Sequence, residues 1–286
     1  MRSTVQTLAG ILICAAMLVC LTDNGAAEGQ AVRIGYVKWS DAIAASNVVK
    51  AVLEQEMGRR CILVPLQAEE VWLATASRDI DGFVCAWLPS LHQNYYGKVG
   101  SHVLDLGPNL RGTRVGLVVP EYVSISSIDQ LQEHALRFGG KIVGIDPGAG
   151  IMRLTRKALA EYGIEGMELV SGSGAAMTRT LEEKIANHEW VVVTGWTPHW
   201  KFARWDLKYL RDPRAVYGGP EAIHSVVRRG LLKDMPRVYR FLDRFSWSPD
   251  DIHRVMQMIQ ESGDPYASAA GWVEENPTRV RAWIPK

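Results

Sequence analysis

Residues 32–87 read VRIGYVKWSDAIAASNVVKAVLEQEMGRRCILVPLQAEEVWLATASRDIDGFVCAW, and this stretch decides the fold. Apolar, β-prone runs at Val32 to Val37, Cys61 to Pro65 and Gly82 to Trp87 alternate with segments of helical spacing at Asp41 to Met57 and Ala68 to Ser77. Parallel neighbours need a long crossover, and a helix between two short apolar strands supplies it. In the first helix Val48, Val49, Val52, Leu53 and Met57 share a face, with Ser40 offering an N-cap and Gly58 a stop. Two such βαβ units in succession predict an α/β protein.

Further along, Arg114 to Val119 is a strand closed by Pro120, and cap signals precede a short helix within Ser124 to Leu136. The alternation then starts afresh. Strands at Lys141 to Ile145, Met167 to Val170 and Trp190 to Trp196 enclose helices at Gly150 to Tyr162, stopped by Gly163, and at Gly174 to Asn187. From Glu221 a single strand, Ile223 to Val227, is followed by mostly helical pattern. Two α/β blocks and a returning tail predict two lobes, 32–115 joined by 220–286, and 116–219. Two crossings, near 114–119 and 218–226, make a hinge, and the crevice between lobes is where a ligand is expected.

The length of 286 residues suits two domains, each with its own core. Basic and acidic residues are interspersed and the net charge is only +1, which excludes a surface built for nucleic acid. Arg2, an apolar stretch from Leu8 to Leu21 and the small residues Gly25-Ala26-Ala27 describe a secretory signal peptide over residues 1–27. The stretch is shorter than the about 20 apolar residues a membrane span needs, so no stable membrane insertion is expected once it is removed. Cys20 raises the question of a lipid anchor, but Val19 is larger than the residue such processing prefers. The expected location is therefore periplasmic. Cys61 and Cys85 remain in the mature chain, on strands that the first strand should separate. Two buried thiols are expected there instead of a disulfide.

Three of the ten tryptophans end an apolar run beside a break: Trp39, Trp87 in Ala86-Trp87-Leu88-Pro89, and Trp196 in Gly195-Trp196-Thr197-Pro198. A single Trp usually packs a core; these three fall at strand ends in both blocks, where α/β folds keep their ligand crevice. A quaternary ammonium has no N–H to donate, so indole faces and apolar contact must hold it. The turn Asp146-Pro147-Gly148-Ala149-Gly150 opens a helix whose first N–H groups, those of Gly150 and Ile151, have no internal partners and could hold a carboxylate. The same residues also suit an ordinary tight turn. His92, just past the Trp87 strand, is either structural or a donor to that anion; His199 is read as structural. Asp41, two residues after Trp39, is either a helix cap or a negative charge near a bound cation. Arg153 stands where a dinucleotide fingerprint needs Gly, and neither a phosphate loop nor metal-ligand spacing is present, so neither cofactor nor metal is expected.

Four segments carry a family resemblance: Gly35-Tyr36-Val37-Lys38-Trp39, Ala86-Trp87-Leu88-Pro89-Ser90-Leu91-His92, Gly144-Ile145-Asp146-Pro147-Gly148-Ala149-Gly150-Ile151-Met152 and Thr194-Gly195-Trp196-Thr197-Pro198-His199-Trp200. Over essentially the whole mature chain the sequence resembles the glycine betaine-binding proteins of osmoprotectant ABC importers. The resemblance implies a two-lobed periplasmic-binding-protein fold of the type II kind that hands its ligand to a membrane permease driven by an ATPase subunit. It implies a cage of Trp39, Trp87 and Trp196, with Gly150, Ile151 and His92 on the carboxylate. Asp41 matches an acidic residue of related choline-binding proteins, which keeps choline as an alternative ligand; carnitine and dimethylsulfoniopropionate stay open as well. An exported choline-ester hydrolase is the competing class, but Ser171-Gly172-Ser173-Gly174 lacks the G-x-S-x-G frame.

Overall fold

The computed structural model describes residues 30–286; the signal peptide expected over 1–27, with Cys14 and Cys20, lies outside the described residues. Strand β1 (Val32–Tyr36) leads into α1 (Ser40–Ala51), which finishes in a π-helical turn (Val52–Glu56), then β2 (Cys61–Pro65), α2 (Ala68–Ala76) and β3 (Gly82–Leu88). β1 lies between β2 and β3 and pairs parallel with both, the arrangement the βαβ pattern requires. β3 is buried along its whole length, which is why it is a continuous apolar run with no alternation. Cys61 and Cys85 are accordingly free, buried thiols, and burial pushes both up to about 12.

The chain continues through α3 (Gln93–Val99), β4 (Val103–Pro120), β5 (Lys141–Val143), α4 (Gly150–Tyr162), β6 (Glu168–Val170), α5 (Gly174–Ala186), β7 (Val193–Thr197), α6 (Lys201–Arg204), β8 (Leu207–Tyr209) and β9 (Glu221–Arg228). Helices α7 (Leu231–Asp234), α8 (Pro236–Arg244), α9 (Pro249–Ser262), α10 (Pro265–Glu275) and α11 (Pro277–Trp283) complete it. Among the described residues the strands form one sheet in the order β2-β1-β3-β9-β4-β7-β5-β6, with β8 beside β4.

β4 is the shared spine. Its first part, residues 103–113, pairs with β9, whereas residues 114–120 pair with β7 and β8, so the same strand borders two sheet regions. β9 inserts antiparallel between β3 and β4, and α9 and α10 pack on α1, so the tail does return to the first region. That cover explains why α1 is buried on nearly every side, Ser46 and Asn47 included.

Three local expectations fail. Ser40 is the first helical residue and not the N-cap; Trp39 holds that position and Ser40 Oγ is buried with no partner among the described residues. The segment 124–136 forms only 3₁₀ turns at Ile128–Gln130 and Ala135–Phe138, because Ser127 and Gln130 close a capping box around a single turn. The strand expected at Arg114 begins at Val103 instead, where Gly107 and Gly112 with φ of +92° and +77° hid its pattern.

Candidate functional site

Trp39 lies just beyond β1, Trp87 near the end of β3 and Trp196 near the end of β7. Because β1 and β3 point the same way, as do β5 and β7, these strand ends converge on one crevice. There the three indoles line a small cavity together with Leu91, Val115, Ile145, Ala149, Gly150 and Ile151, and its side-chain walls are apolar. Each indole is at least 94% buried, at 6%, 2% and 5% exposure respectively.

The opposite wall is the start of α4. Ala149 is the N-cap with an extended backbone and no side-chain cap, so the N–H groups of Gly150 and Ile151 open the helix without a side-chain acceptor. Gly is required at 150 by contact: a Cβ there would sit 2.4 Å from the Leu91 carbonyl oxygen. The α4 turn thus presses on the loop that follows Trp87. Arg153 Nη2 donates to the Ser90 carbonyl at 2.9 Å, and the Tyr95 hydroxyl donates to the Gly148 carbonyl. From β9, the Glu221 carboxylate accepts from Ser90 N at 2.8 Å.

His92 is fully buried behind this wall and does not line the cavity; its ring packs 5.8 Å from that of Trp39. Its Nδ1 accepts from Trp72 Nε1 at 3.3 Å and from the backbone N–H of Trp87 at 3.2 Å. Two donors on Nδ1 place the neutral ring's proton on Nε2, which has no partner among the described residues. Burial, helped by the charge of Arg153, holds the imidazole down to about 3, so it is a neutral donor. Trp72 thus helps to set this tautomer.

Asp41 is not a cap either: its carboxylate accepts from Trp196 Nε1 at 2.9 Å, behind the cavity wall. Burial pushes that carboxyl up to about 6 against the pull of the Trp196 hydrogen bond. Asp146 accepts from Trp39 Nε1 at 2.8 Å. Lys201, fully buried on α6, lies 4.5 Å over the Trp196 ring; burial lowers its amine to about 7, opposed by the charge of Asp41. Lys201 and Tyr95 carry no sequence motif, and neither the turn that Asp146 opens nor the place of Arg153 signals these contacts. His199 is structural, with Nδ1 accepting from Lys201 N, and Ser173 caps α5 by accepting from Ala176 N.

Among relatives, the glycine betaine/carnitine transport binding protein GbuC of Listeria monocytogenes is 44% identical over 144 residues, 50% of this chain. The match spans about half, 48%, of that relative's length. A glycine betaine/L-proline-binding protein of Borrelia burgdorferi is 40% identical with a TM-score of 0.87, covering 90% of this chain and 97% of that one. The lactococcal OpuAC in its closed-liganded conformation with glycine betaine is 38% identical with a TM-score of 0.85, covering 90% and 100%. The fold is therefore the two-lobed periplasmic-binding-protein fold. With the family model matching residues 30–275, the chain belongs to the family described as the substrate binding domain of the ABC-type glycine betaine transport system, a receptor family and not an enzyme family.

Proposed function

We propose that this protein is the extracytoplasmic ligand receptor of an ABC importer for glycine betaine or a close quaternary-ammonium relative, serving osmoprotection. The observation that carries the reading is one small cavity lined by three indoles and by the bare start of α4. A trimethylammonium group fits indole faces, where cation–π attraction is worth about 0.5–2 kcal/mol per desolvated contact. A carboxylate one methylene away suits the N–H groups of Gly150 and Ile151, assisted by the helix dipole. Although His92 does not line the cavity, its ring packs against Trp39 and its only proton is on an unpartnered Nε2, which makes it the side-chain donor proposed for the same carboxylate.

The lobes divide at 32–115 with 220–286 and at 116–219, which agrees with β4 changing partners after Thr113 and with β9 returning at Glu221. Trp39, Trp87 and His92 then come from one lobe and Trp196, Gly150 and Ile151 from the other, so ligand favours the closed state by touching both. The closed receptor delivers to a membrane permease with its ATPase subunit, from the periplasm. No helix among the described residues is long and apolar enough to cross a membrane.

Choline is the second reading, favoured by one observation: the buried Asp41 carboxylate lies close to the cage with Oδ2 unpartnered among the described residues. Competition calorimetry with glycine betaine, choline and carnitine decides. Glycine betaine is expected to bind tightest. Tighter choline binding would transfer the assignment to Asp41 and choline, and binding of none would overturn the receptor reading.

A further inference from the structure

The cage indoles are held by carboxylates that do not line the cavity, and the pattern is reciprocal. Trp39 and Asp41 stand together at the start of α1, after β1. Asp146 and Trp196 stand together at the ends of the adjacent strands β5 and β7. Trp39 gives its N–H to Asp146, 107 residues away, and Trp196 gives its N–H to Asp41, 155 residues away. The first sheet region contributes Trp39, Trp87 and Asp41, the second Trp196 and Asp146, and Trp39 and Trp196 are each satisfied by the other region's carboxylate.

A buried indole N–H needs a partner, because an unpaired donor costs about 1–3 kcal/mol in a dry site. Trp39 and Trp196 are each fixed in plane by one such bond and can present their faces to the ligand in one orientation only. Asp146 has a second connection, since it opens the turn that ends in Gly150 and Ile151. Movement of that turn against Trp39 would break the hydrogen bond and disturb the anion side and the cation side together. Both carboxylates keep one oxygen, Asp41 Oδ2 and Asp146 Oδ1, without a partner among the described residues.

We propose that Asp41 and Asp146 are positioning residues that form a reciprocal latch, completing the tryptophan cage only when the two sides of the crevice meet. The latch rests on the betaine reading for its ligand, though not for its geometry. Opening separates both pairs at once and leaves two indoles free to rotate, so the open receptor has no assembled cage. Ligand release has to break both bonds, which places the effect of the latch on the dissociation rate.

The test uses the mature chain and the indole N–H signals of its ¹⁵N–¹H spectrum, alongside stopped-flow tryptophan fluorescence with glycine betaine. Asp146→Ala should shift the Trp39 indole N–H and leave that of Trp196 in place; Asp41→Ala should do the converse. Asp146→Ala should release betaine about tenfold faster with a nearly unchanged association rate, whereas Asp146→Asn, which keeps a carbonyl acceptor, should stay within about threefold of wild type. A generally loosened fold would instead lower the melting temperature and move many signals, and that result overturns the latch. So do release rates for Asp146→Ala within twofold of wild type, or indole signals that ignore both substitutions. If wild type binds no betaine the ligand reading fails by itself, and the paired indole shifts still decide for or against the latch.

Discussion

The two walls of the cavity are made of different materials. The β1 and β3 side is side-chain chemistry: Trp39 stands just beyond β1 and Trp87 on the fully buried β3, and what they offer is a rigid aromatic face. The α4 side is backbone chemistry: two N–H groups at a helix start that packs against the Leu91 carbonyl, a contact that only Gly at 150 leaves room for. Trp196 is the exception that joins them, an aromatic face on the second sheet region. The difference teaches that a zwitterion is read twice, by polarisable side chains at its cation and by main-chain donors at its anion, and that the two readings should fail in different ways.

The largest effect should come from the backbone wall. Gly150→Val puts a branched Cβ where even a methyl would lie 2.4 Å from the Leu91 carbonyl oxygen. Betaine affinity should fall on the order of 100-fold by calorimetry, about 2.7 kcal/mol, with the circular dichroism spectrum retained. A variant that binds within threefold of wild type would break the contrast.

Next come the aromatic faces. Trp87→Ala or Trp196→Ala should each weaken betaine binding by up to about 30-fold, the upper end of one desolvated cation–π contact, and Trp87→Phe should recover part of it. His92→Asn sharpens the comparison further, because its amide oxygen can take the place of Nδ1 while its side chain stops short of Nε2. Betaine should lose about tenfold, the worth of a hydrogen bond to a charged group, while choline, with no carboxylate, changes little. Equal losses for both ligands would show that His92 only packs.

The smallest effect concerns stability and not binding. Asp41 has its folded carboxyl raised from 3.8 to about 6, so its charged form is disfavoured by folding. The stability this represents is fully present below the unfolded pKa and is lost as pH rises from about 4 through about 6. Asp41→Asn keeps an acceptor for Trp196 and should raise the melting temperature of the ligand-free protein at pH 7.5 by a few degrees. The gain should shrink towards zero below pH 4. A variant equally destabilised at both pH values would contradict the assignment.

Much of this was legible in the chain because it rests on period and punctuation. The βα alternation, the position of α4 between Gly150 and Gly163, and the three strand-end tryptophans are all local signals. Two kinds of feature were not local. The first half of β4 is broken by glycines at positive φ and is recognised as a strand only through its pairing with β9. The carboxylate partners of Trp39 and Trp196 lie more than a hundred residues away, and a lone Asp beside Pro-Gly is indistinguishable from any turn. His92 was chosen for its place after Trp87, but its tautomer depends on Trp72, which no spacing connects to it.

The most direct test of the double reading compares glycine betaine with two analogues, each lacking one half of its charge. In 3,3-dimethylbutanoate a carbon replaces the nitrogen with the shape kept, and in choline a hydroxymethyl group replaces the carboxylate. Titration calorimetry at neutral pH should show glycine betaine binding at least tenfold more tightly than either. Binding of 3,3-dimethylbutanoate as tight as that of betaine would contradict the cation cage, and choline binding as tight would contradict the anion wall.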